Sequence, residues 1–396
     1  MSNRTLNIFR RVTSGKPILE EIDGLRFLAI FYVIVAHVHG FFTVKTPYFR
    51  EDLSASGLLD FVGSIGRNGQ HGVAIFFVIS GFILALPFAK QHLKGSTQPI
   101  KLKQYYLRRL TRLEPPYILA LLILTVVIVI KGLHSFSELL PHLVGSLTYT
   151  HNIIYDSMSW ITPVAWSLEV EVQFYILAPF LASIFLLKRQ LHRILILCAG
   201  ILFFASIQET SLFLNSFALS MSLLGWFQYF LVGFILADIY VASKINWTLP
   251  KPIEILCGLV LLAGVSFVPY EGALINRLLY PLLCFLFFTL VLHFHFWKGI
   301  FSIGIISVIG GMCYSIYLLH FAAISFIGNY SIHYQVTNSL EINYILQWLI
   351  ISIGILAVSA VYFVLIEKPC MKKDWLSKLI QKLKSNFLFQ PSTTKG

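Results

Sequence analysis

The stretch that decides the fold is 23–37, DGLRFLAIFYVIVAH, in which an arginine and a histidine enclose ten apolar or aromatic residues. Eleven residues make about three helical turns, so Arg26 and His37 share one helix face about 16 Å apart. An ionisable side chain inside hydrocarbon is costly and normally faces a cavity or a partner. The alternative is structural anchoring, with the arginine snorkelling to the membrane surface. The buried histidine favours a functional pathway along this face.

The composition around this segment is that of an integral membrane protein. The 396 residues are 57% hydrophobic and 12% charged, with a mean hydropathy of +0.77, whereas soluble domains are about 25% charged. Long apolar runs without strand-like alternation indicate helices rather than a barrel. We therefore predict an all-α bundle of about ten membrane-spanning helices. The expected spans are 25–42, 72–89, 115–131, 166–187, 193–207, 220–241, 253–269, 277–296, 304–327 and 344–366.

The distribution of basic residues predicts the orientation. With ten spans both termini lie on one side, and the segments on that side carry 24 of the 30 Lys and Arg, against 5 in the opposite loops. The positive-inside rule then places both termini in the cytoplasm. The formal charge of +12 describes loops beside anionic membrane lipid, and we expect no nucleic-acid partner.

The second span and the basic loop after it carry the next polar features. Ser80-Gly81 in mid-helix permits close helix packing, or opens the backbone toward a ligand. The loop ends in YYLRRLTRLEPPY (105–117), where helical spacing lets Arg108, Arg109 and Arg112 converge. Arginine forks suit phosphate oxygens, although a positive-inside anchor is the commoner use of such a cluster.

Two details of this loop complete the expectation. Glu114 is a possible partner of one of these arginines. Pro115 and Pro116 are expected to break the helix or to start a new one.

Two carboxylates enter the fourth span. Glu169 and Glu171 are about 200° apart around a helix, so they cannot address one partner on the same face. At the i,i+4 spacing, Glu169 aligns with Gln173 and Glu171 with Tyr175. Interfacial placement is the bland interpretation of both acids, but two carboxylates entering a bundle favour a function for at least one.

The ninth span adds Tyr317 and His320 on one helix face, and this histidine is as consistent with a satisfied bundle residue as with a catalytic one. Histidines two residues apart, as in His37/His39, point away from each other on a helix. We find no metalloprotease, P-loop or nucleophile-elbow motif, and expect no metal.

Taken in order, these segments resemble the bacterial acyltransferase family 3 membrane proteins, which O-acylate surface polysaccharides. The resemblance covers about residues 21–369. It rests on IDGLRFLAIFYVIVAH (22–37), GVAIFFVISGF (72–82), YYLRRLTRLEPPY (105–117), WSLEVEVQFYILAP (166–179), YSIYLLH (314–320) and IEKP (366–369).

The resemblance implies roles for individual residues. It marks Arg26 and His37 as the essential pair and Glu171 as the acid of the fourth motif, with Glu169 as the alternative acid. The donor-side basic motif falls on Arg109 and Arg112, beside Arg108. The residues expected to line the substrate path are Ser80, Trp166, Tyr317 and His320.

The activity that follows is transfer of an acyl group, most simply acetyl, from cytoplasmic acetyl-CoA to a hydroxyl of an envelope polysaccharide, lipopolysaccharide or glycolipid. An imidazole with a pKa near 6.5 is a natural base for that hydroxyl. A transporter or glycan-lipid flippase would also contain buried His, Arg and Glu, but no inverted repeat is visible to support it. A non-catalytic scaffold would leave the Arg26/His37 face without a purpose.

The domain organisation predicted with this activity is simple. It comprises a cytoplasmic segment (1–24), a membrane acyltransferase domain (25–369) and a basic cytoplasmic tail (370–396), without a soluble second domain. The expected location is the bacterial inner membrane.

Overall fold

The computed structural model describes residues 7–12, 19–45, 57–95, 100–243, 248–270, 272–372, 375, 377, 378 and 381. Within these residues the chain forms helices and no β-strand, which confirms the all-α prediction. The helices that matter here are α1 (Glu20–Lys45), α2 (Gly57–Arg67), α3 (Gln70–Lys94), α4 (Leu102–Ile130), α5 (Phe136–Leu147), α6 (His151–Tyr155), α7 (Trp166–Leu181), α8 (Gln190–Ile207), α9 (Leu223–Ala242), α10 (Lys251–Phe267), α11 (Leu274–His293), α12 (His295–Phe301), α13 (Gly304–Gly311), α14 (Cys313–Ser331) and α15 (Leu340–Tyr362).

The helix lengths fit a protein that crosses a membrane several times. Among the described residues, eight helices are long and apolar enough to cross, or nine if α13 and α14 form one bent span. The predicted span 253–269 falls on α10, whose 17 residues make about 26 Å, the short end of the usual range. All ten predicted spans thus fall on helices, of which eight or nine meet the criteria of length and composition.

The outer faces of these helices are apolar. Ile130 on α4, Phe180 on α7 and Ile353 on α15 are 79%, 67% and 66% exposed. Large apolar side chains exposed over whole helix faces favour aggregation in water but suit contact with lipid. The chain is therefore a multi-pass membrane protein.

Helix α1 lies at the centre of the bundle. One side of it packs into a core formed with α3, α7, α9 and α11, and the other into a core formed with α13, α14 and α15. Glycines allow the closest approaches: a Cβ added to Gly81 would lie 2.3 Å from the carbonyl oxygen of Phe230, and one added to Gly233 would lie 2.4 Å from that of Val78. The close-packing interpretation of Ser80-Gly81 is confirmed.

The prediction of a break at Pro115 and Pro116 is wrong, because α4 continues through both prolines. Pro115 has no N–H, so the Thr111 carbonyl loses its intrahelical partner. The indole Nε1 of Trp375 donates to that carbonyl at 3.1 Å. Hydroxyls of Tyr314 and Tyr362 donate to the carbonyls of Leu113 and Pro116. Donors from other segments thus stabilise a proline-containing helix, as neighbouring helices do in membranes.

The predicted ninth span, 304–327, is not one continuous helix in the structure. It is broken at Met312 into α13 and α14, which are bent by 70°. A Cβ added to Gly310 would lie 1.7 Å from the carbonyl oxygen of Asp23, so this glycine lets α13 pack against the first turn of α1. The break brings the start of α14 beside the charged end of α1, an arrangement that broken membrane helices use at binding sites.

Candidate active site

The charged end of the site is built on the first turns of α1. The Asp23 carboxylate, only 2% exposed, accepts from Arg26 Nη1 at 2.5 Å and from Arg11 Nε at 2.8 Å. Burial, which has the largest effect, and the positive charge of the neighbouring Arg26 lower the pKa of Arg11 to about 10. The Arg11 guanidinium is thus held inside a cationic environment, although its residue precedes the first helix.

The basic motif of α4 joins this end. The Arg109 guanidinium lies over the rings of Tyr105 and Tyr175, at 5.8 and 5.4 Å from their centroids. Arg112 lies within electrostatic range of Arg109 and Arg26. We call Arg11, Arg26, Arg109 and Arg112 the arginine cluster. The predicted convergence holds for two of the three arginines of the motif.

The third arginine does not converge with them. Arg108 is exposed, and the described contacts do not connect it to Arg109 or Arg112. The expectation that Glu114 pairs with an arginine is wrong, because its Oε1 accepts from the Tyr149 hydroxyl at 2.9 Å. Glu114 therefore leaves the arginine cluster uncompensated on this side.

The two glutamates of α7 have different surroundings. Glu171 Oε1 accepts from the hydroxyls of Ser80 at 2.6 Å and Tyr175 at 2.5 Å, and Glu171 lies within electrostatic range of Arg26. The predicted alignment of Glu171 with Tyr175 is confirmed. Because two polar side chains hold Glu171 on the arginine side, the geometry places it, and not Glu169, in the candidate site.

Glu169 faces the opposite way and holds a loop. It is 1% exposed, and its Oε2 accepts from the backbone N–H of Asn152 at 3.1 Å, at the start of α6. Its expected alignment partner Gln173 instead accepts from the backbone N–H of Leu223 at 3.0 Å. Since a carboxylate at a helix N-terminus stabilises that terminus, the geometry gives Glu169 a structural contact.

His37 and His320 face each other from α1 and α14. Their ring centroids are 5.0 Å apart at an interplanar angle of 72°. His37 Nδ1 lies 2.8 Å from the Val33 carbonyl oxygen, and His320 Nδ1 lies 2.8 Å from that of Tyr317. A carbonyl oxygen only accepts, so each Nδ1 carries the proton.

This tautomer fixes what the two rings offer chemically. Each Nε2 is left as a proton acceptor in the neutral imidazole. His320 Nε2 is buried and has no hydrogen-bond partner among the described residues. His39 lies elsewhere, 3.4 Å from the Tyr344 hydroxyl, as its spacing from His37 predicts. The site thus contains two adjacent imidazoles whose basic nitrogens are available.

The remaining predicted residues connect the two histidines with α7. Tyr317 donates to the Val164 carbonyl at 2.5 Å and accepts from Ser167 Oγ at 3.2 Å, and its ring lies 6.2 Å from that of His320. Trp166, beside Ser167 in sequence, is 8% exposed and packs in the core, so it helps to fix the position of Ser167. The structure brings Tyr317 to the histidines and Ser80 to Glu171.

The arrangement is chemically asymmetric along α1. Positive groups gather near Arg26, where they suit an anion, and proton acceptors gather near His37, where they suit a hydroxyl. Such a layout fits a reaction whose two substrates arrive from opposite sides of a membrane. A sequence comparison then places the chain: an acyltransferase domain family matches residues 19–364.

The chain belongs to the acyltransferase family 3.

Several relatives are similar over much of the chain. A Staphylococcus aureus (strain COL) protein named by inference as an O-acetyltransferase is 26% identical over 80% of this chain and 52% of its own length. The O-acetyltransferase OatA of S. aureus (strain MRSA252) is 25% identical over 93% of this chain and 60% of its own. The peptidoglycan O-acetyltransferase OatA of Listeria monocytogenes is 32% identical over 45% of this chain and 26% of its own. The chain spans about half the length of the first of these relatives, and no solved structure matches it.

Three charged residues at the site were not singled out from the sequence. Arg11 and Asp23 form the ion pair described above. Glu367, 1% exposed on a π-helical turn after α15, accepts from the backbone N–H and the hydroxyl of Ser315 at 3.0 and 2.5 Å. It also lies within electrostatic range of Arg112 and Arg26. Its place in the IEKP motif was the available signal, whereas nothing in the sequence marks Arg11.

Proposed function

We propose that this protein is a membrane O-acyltransferase that moves an acetyl group from cytoplasmic acetyl-CoA to a hydroxyl of a cell-envelope glycan. The observation that carries the proposal is the separation of functions along α1. The arginine cluster lies near Arg26, and two imidazoles with basic Nε2 atoms lie near His37, about 16 Å further along the helix. Membership of the acyltransferase family supports the reaction class.

The orientation supports the same assignment of substrates. The excess of basic residues favours the cytoplasm for the arginine end of α1. Acetyl-CoA is a polyanion, and guanidinium forks match its phosphate oxygens in geometry as well as in charge. Asp23, Glu171 and Glu367 offset part of the positive charge, and Asp23 also holds the Arg26 and Arg11 guanidinium groups by hydrogen bonds. The acceptor hydroxyl then reaches His37 from the extracytoplasmic side.

The chemistry requires one proton acceptor. His37 Nε2 removes the proton from the acceptor hydroxyl as the oxygen attacks the thioester carbonyl. The carbon–sulfur bond breaks, and the departing CoA sulfur takes up the proton, so the products are the acetyl ester and the CoA thiol. A transient acyl-enzyme would serve the same overall transfer in two steps. His320 lies close enough to keep the His37 ring in place or to relay the proton.

The test is a reconstituted assay of acetyl transfer and CoA release. His37→Asn keeps an amide N–H near the position of Nδ1, so it retains a donor for the Val33 carbonyl while it removes the base. We expect transfer to fall by about 10²–10⁴-fold, the usual effect of losing a general base. The matched control is His39→Asn, which should retain most activity because His39 contacts Tyr344 instead. Wild-type transfer by His37→Asn would remove this residue from the mechanism. Glycan movement without CoA release would support the flippase alternative.

A further inference from the structure

A cavity of about 370 Å³ lies at one end of the bundle, and neither His37 nor His320 nor any residue of the arginine cluster lines it. Its walls come from the loop between α8 and α9, the first turns of α3, α9 and α11, and the segment after α10. Its volume is at the lower end of the range for ligand pockets, about 300–1,000 Å³. The cavity thus has room for a small ligand or for one unit of a larger one.

The cavity is at the same end of the bundle as His37. Gln70, in its wall, follows Gly69, and a Cβ added to Gly69 would lie 1.8 Å from the Cβ of Ala36, the residue before His37. On its other side, the wall residue Trp226 packs against Trp166 at 5.3 Å between ring centroids. Trp166 precedes Ser167, which donates to Tyr317 beside the histidines. The cavity therefore flanks the acceptor end of the proposed reaction.

The lining combines amides with aromatic rings. Gln208 and Gln228 are buried, and Gln208 Nε2 donates to Gln228 Oε1 at 3.1 Å. Trp226 and Tyr270 stack with ring centroids 5.7 Å apart and planes at 27°. Amide groups both donate and accept hydrogen bonds, as hydroxyl groups do, and aromatic rings pack against the C–H faces of sugar rings. This combination suits a hydroxylated ring.

The charge of the lining argues against an anion. Arg277 is the charged residue among those that line the cavity. Its Nε donates to the Glu209 carboxylate at 2.5 Å and its Nη1 donates to Gln208 Oε1 at 2.8 Å. A phosphate or carboxylate would have to share the Arg277 guanidinium with this existing counter-ion. The wall therefore presents dipoles more than net charge, which favours an uncharged ligand.

The walls are also fixed before any ligand arrives. The Trp226 indole N–H donates to the Ser220 carbonyl at 3.0 Å, and the backbone N–H of Leu223 donates to Gln173 at 3.0 Å. The Asp156 carboxylate accepts from the backbone N–H of Ala218 at 2.6 Å, which ties the loop to the segment after α6. Pre-organised walls lower the ordering cost of binding.

From these observations we infer that the cavity is an acceptor subsite for one uncharged sugar residue, next to the residue that is acylated. The inference rests on the proposed function, because it assumes a glycan acceptor. His37 is absent from the lining, so the subsite would hold a neighbouring unit of the glycan rather than the reacting hydroxyl. It would thereby determine which glycan is accepted and which unit of it reaches the base.

The first test blocks the cavity and measures steady-state kinetics of the full chain in nanodiscs. Asn215→Trp places a bulky ring at an exposed position of the lining, and Leu212→Trp, in the same loop but outside the lining, is the matched control. With an oligosaccharide acceptor, Asn215→Trp should raise the acceptor KM because the ring fills part of the cavity. Gln228→Met should raise the acceptor KM at least about fivefold, the smallest usual effect of losing a buried hydrogen-bond partner. The KM for acetyl-CoA should not change, because the residues of the arginine cluster do not line the cavity. An unchanged acceptor KM in both variants would overturn the subsite.

The second test needs no turnover, so it separates this inference from the proposed function. Saturation-transfer NMR is recorded on the same nanodiscs with cellobiose or N,N′-diacetylchitobiose, and with glucose 6-phosphate as the charged probe. We expect the neutral disaccharides to bind and Asn215→Trp, but not Leu212→Trp, to abolish the signal. A neutral-sugar signal in a protein that transfers no acetyl group would keep the subsite and reject the transferase. Preferential binding of glucose 6-phosphate would reject the subsite, and so would the absence of binding by all of these sugars.

Discussion

The most informative perturbation separates the two glutamates of α7 by removing one charge at a time. Glu171 accepts hydrogen bonds from the Ser80 and Tyr175 hydroxyls at 2.6 and 2.5 Å. A hydrogen bond to a charged acceptor contributes about 1.5–3 kcal/mol, and a neutral one contributes about 1 kcal/mol. Glu171→Gln keeps the shape and the oxygen but loses the charge, so these two bonds weaken by about 1–4 kcal/mol together. At about 1.4 kcal/mol per factor of ten, kcat/KM should fall between about fivefold and 10³-fold.

Glu169→Gln is the matched substitution two residues away. Gln retains an oxygen for the Asn152 backbone N–H, so the start of α6 keeps its partner. We expect kcat/KM within about threefold of wild type, and a fall in the thermal midpoint, because the buried amide nitrogen gains no acceptor and such a donor costs about 1–3 kcal/mol. The assay is CoA-thiol release at varied acetyl-CoA concentration, beside thermal unfolding of each purified variant. Lost turnover in Glu169→Gln together with wild-type turnover in Glu171→Gln would refute the assignment.

Three further outcomes follow from the same geometry. Arg109→Lys and Arg112→Lys should each raise the KM for acetyl-CoA in reconstituted vesicles, because lysine keeps the positive charge but not the forked guanidinium. The control Lys101→Ala, at an exposed position, should not change this KM. Equal KM values in all three variants and the wild type would show that the loop only anchors the protein at the membrane. Burial lowers the pKa of His142 and His151, so below about pH 6.5 the unfolded chain binds protons that the folded protein does not. The thermal midpoint should therefore fall as the pH falls from about 6.5, and it should fall less in His142→Phe. A midpoint that does not change between about pH 5 and 7 would contradict this. Reporter fusions that are active only outside the cytoplasm should be silent on the C-terminal tail and active in the loop after α14, and the reverse pattern would overturn the orientation.

Much of the fold could be predicted because membrane helices carry a strong local signal. A run of about 20 apolar residues must satisfy its backbone internally, so span positions follow from hydropathy alone. The continuity of each helix does not follow in this way. Proline predicts a break in α4, but the partner that prevents it, Trp375, lies more than two hundred residues away in the chain. The bend at Met312 likewise depends on how α13 meets α1.

The candidate site shows the same division between local and long-range information. Helical spacing correctly separated Glu169 from Glu171 and His37 from His39, because rotation per residue is a local property. The composition of the arginine cluster was not predictable, since Arg11 reaches it from a segment outside the predicted spans. The pairing of His37 with His320 also needed the structure, since it joins the first span to the ninth.

The tautomers of the two histidines have a consequence for how this site can diversify. In a serine-hydrolase triad, a buried aspartate from another part of the fold keeps the catalytic imidazole in its working tautomer. Here His37 is oriented by the carbonyl four residues earlier on its own helix, and His320 by those three and four residues earlier. The tautomer of the proposed base is therefore set within one secondary-structure element. Loops on the acceptor side that do not pack against α1 or α14 can therefore change to suit new acceptors without changing the tautomer of His37 or His320.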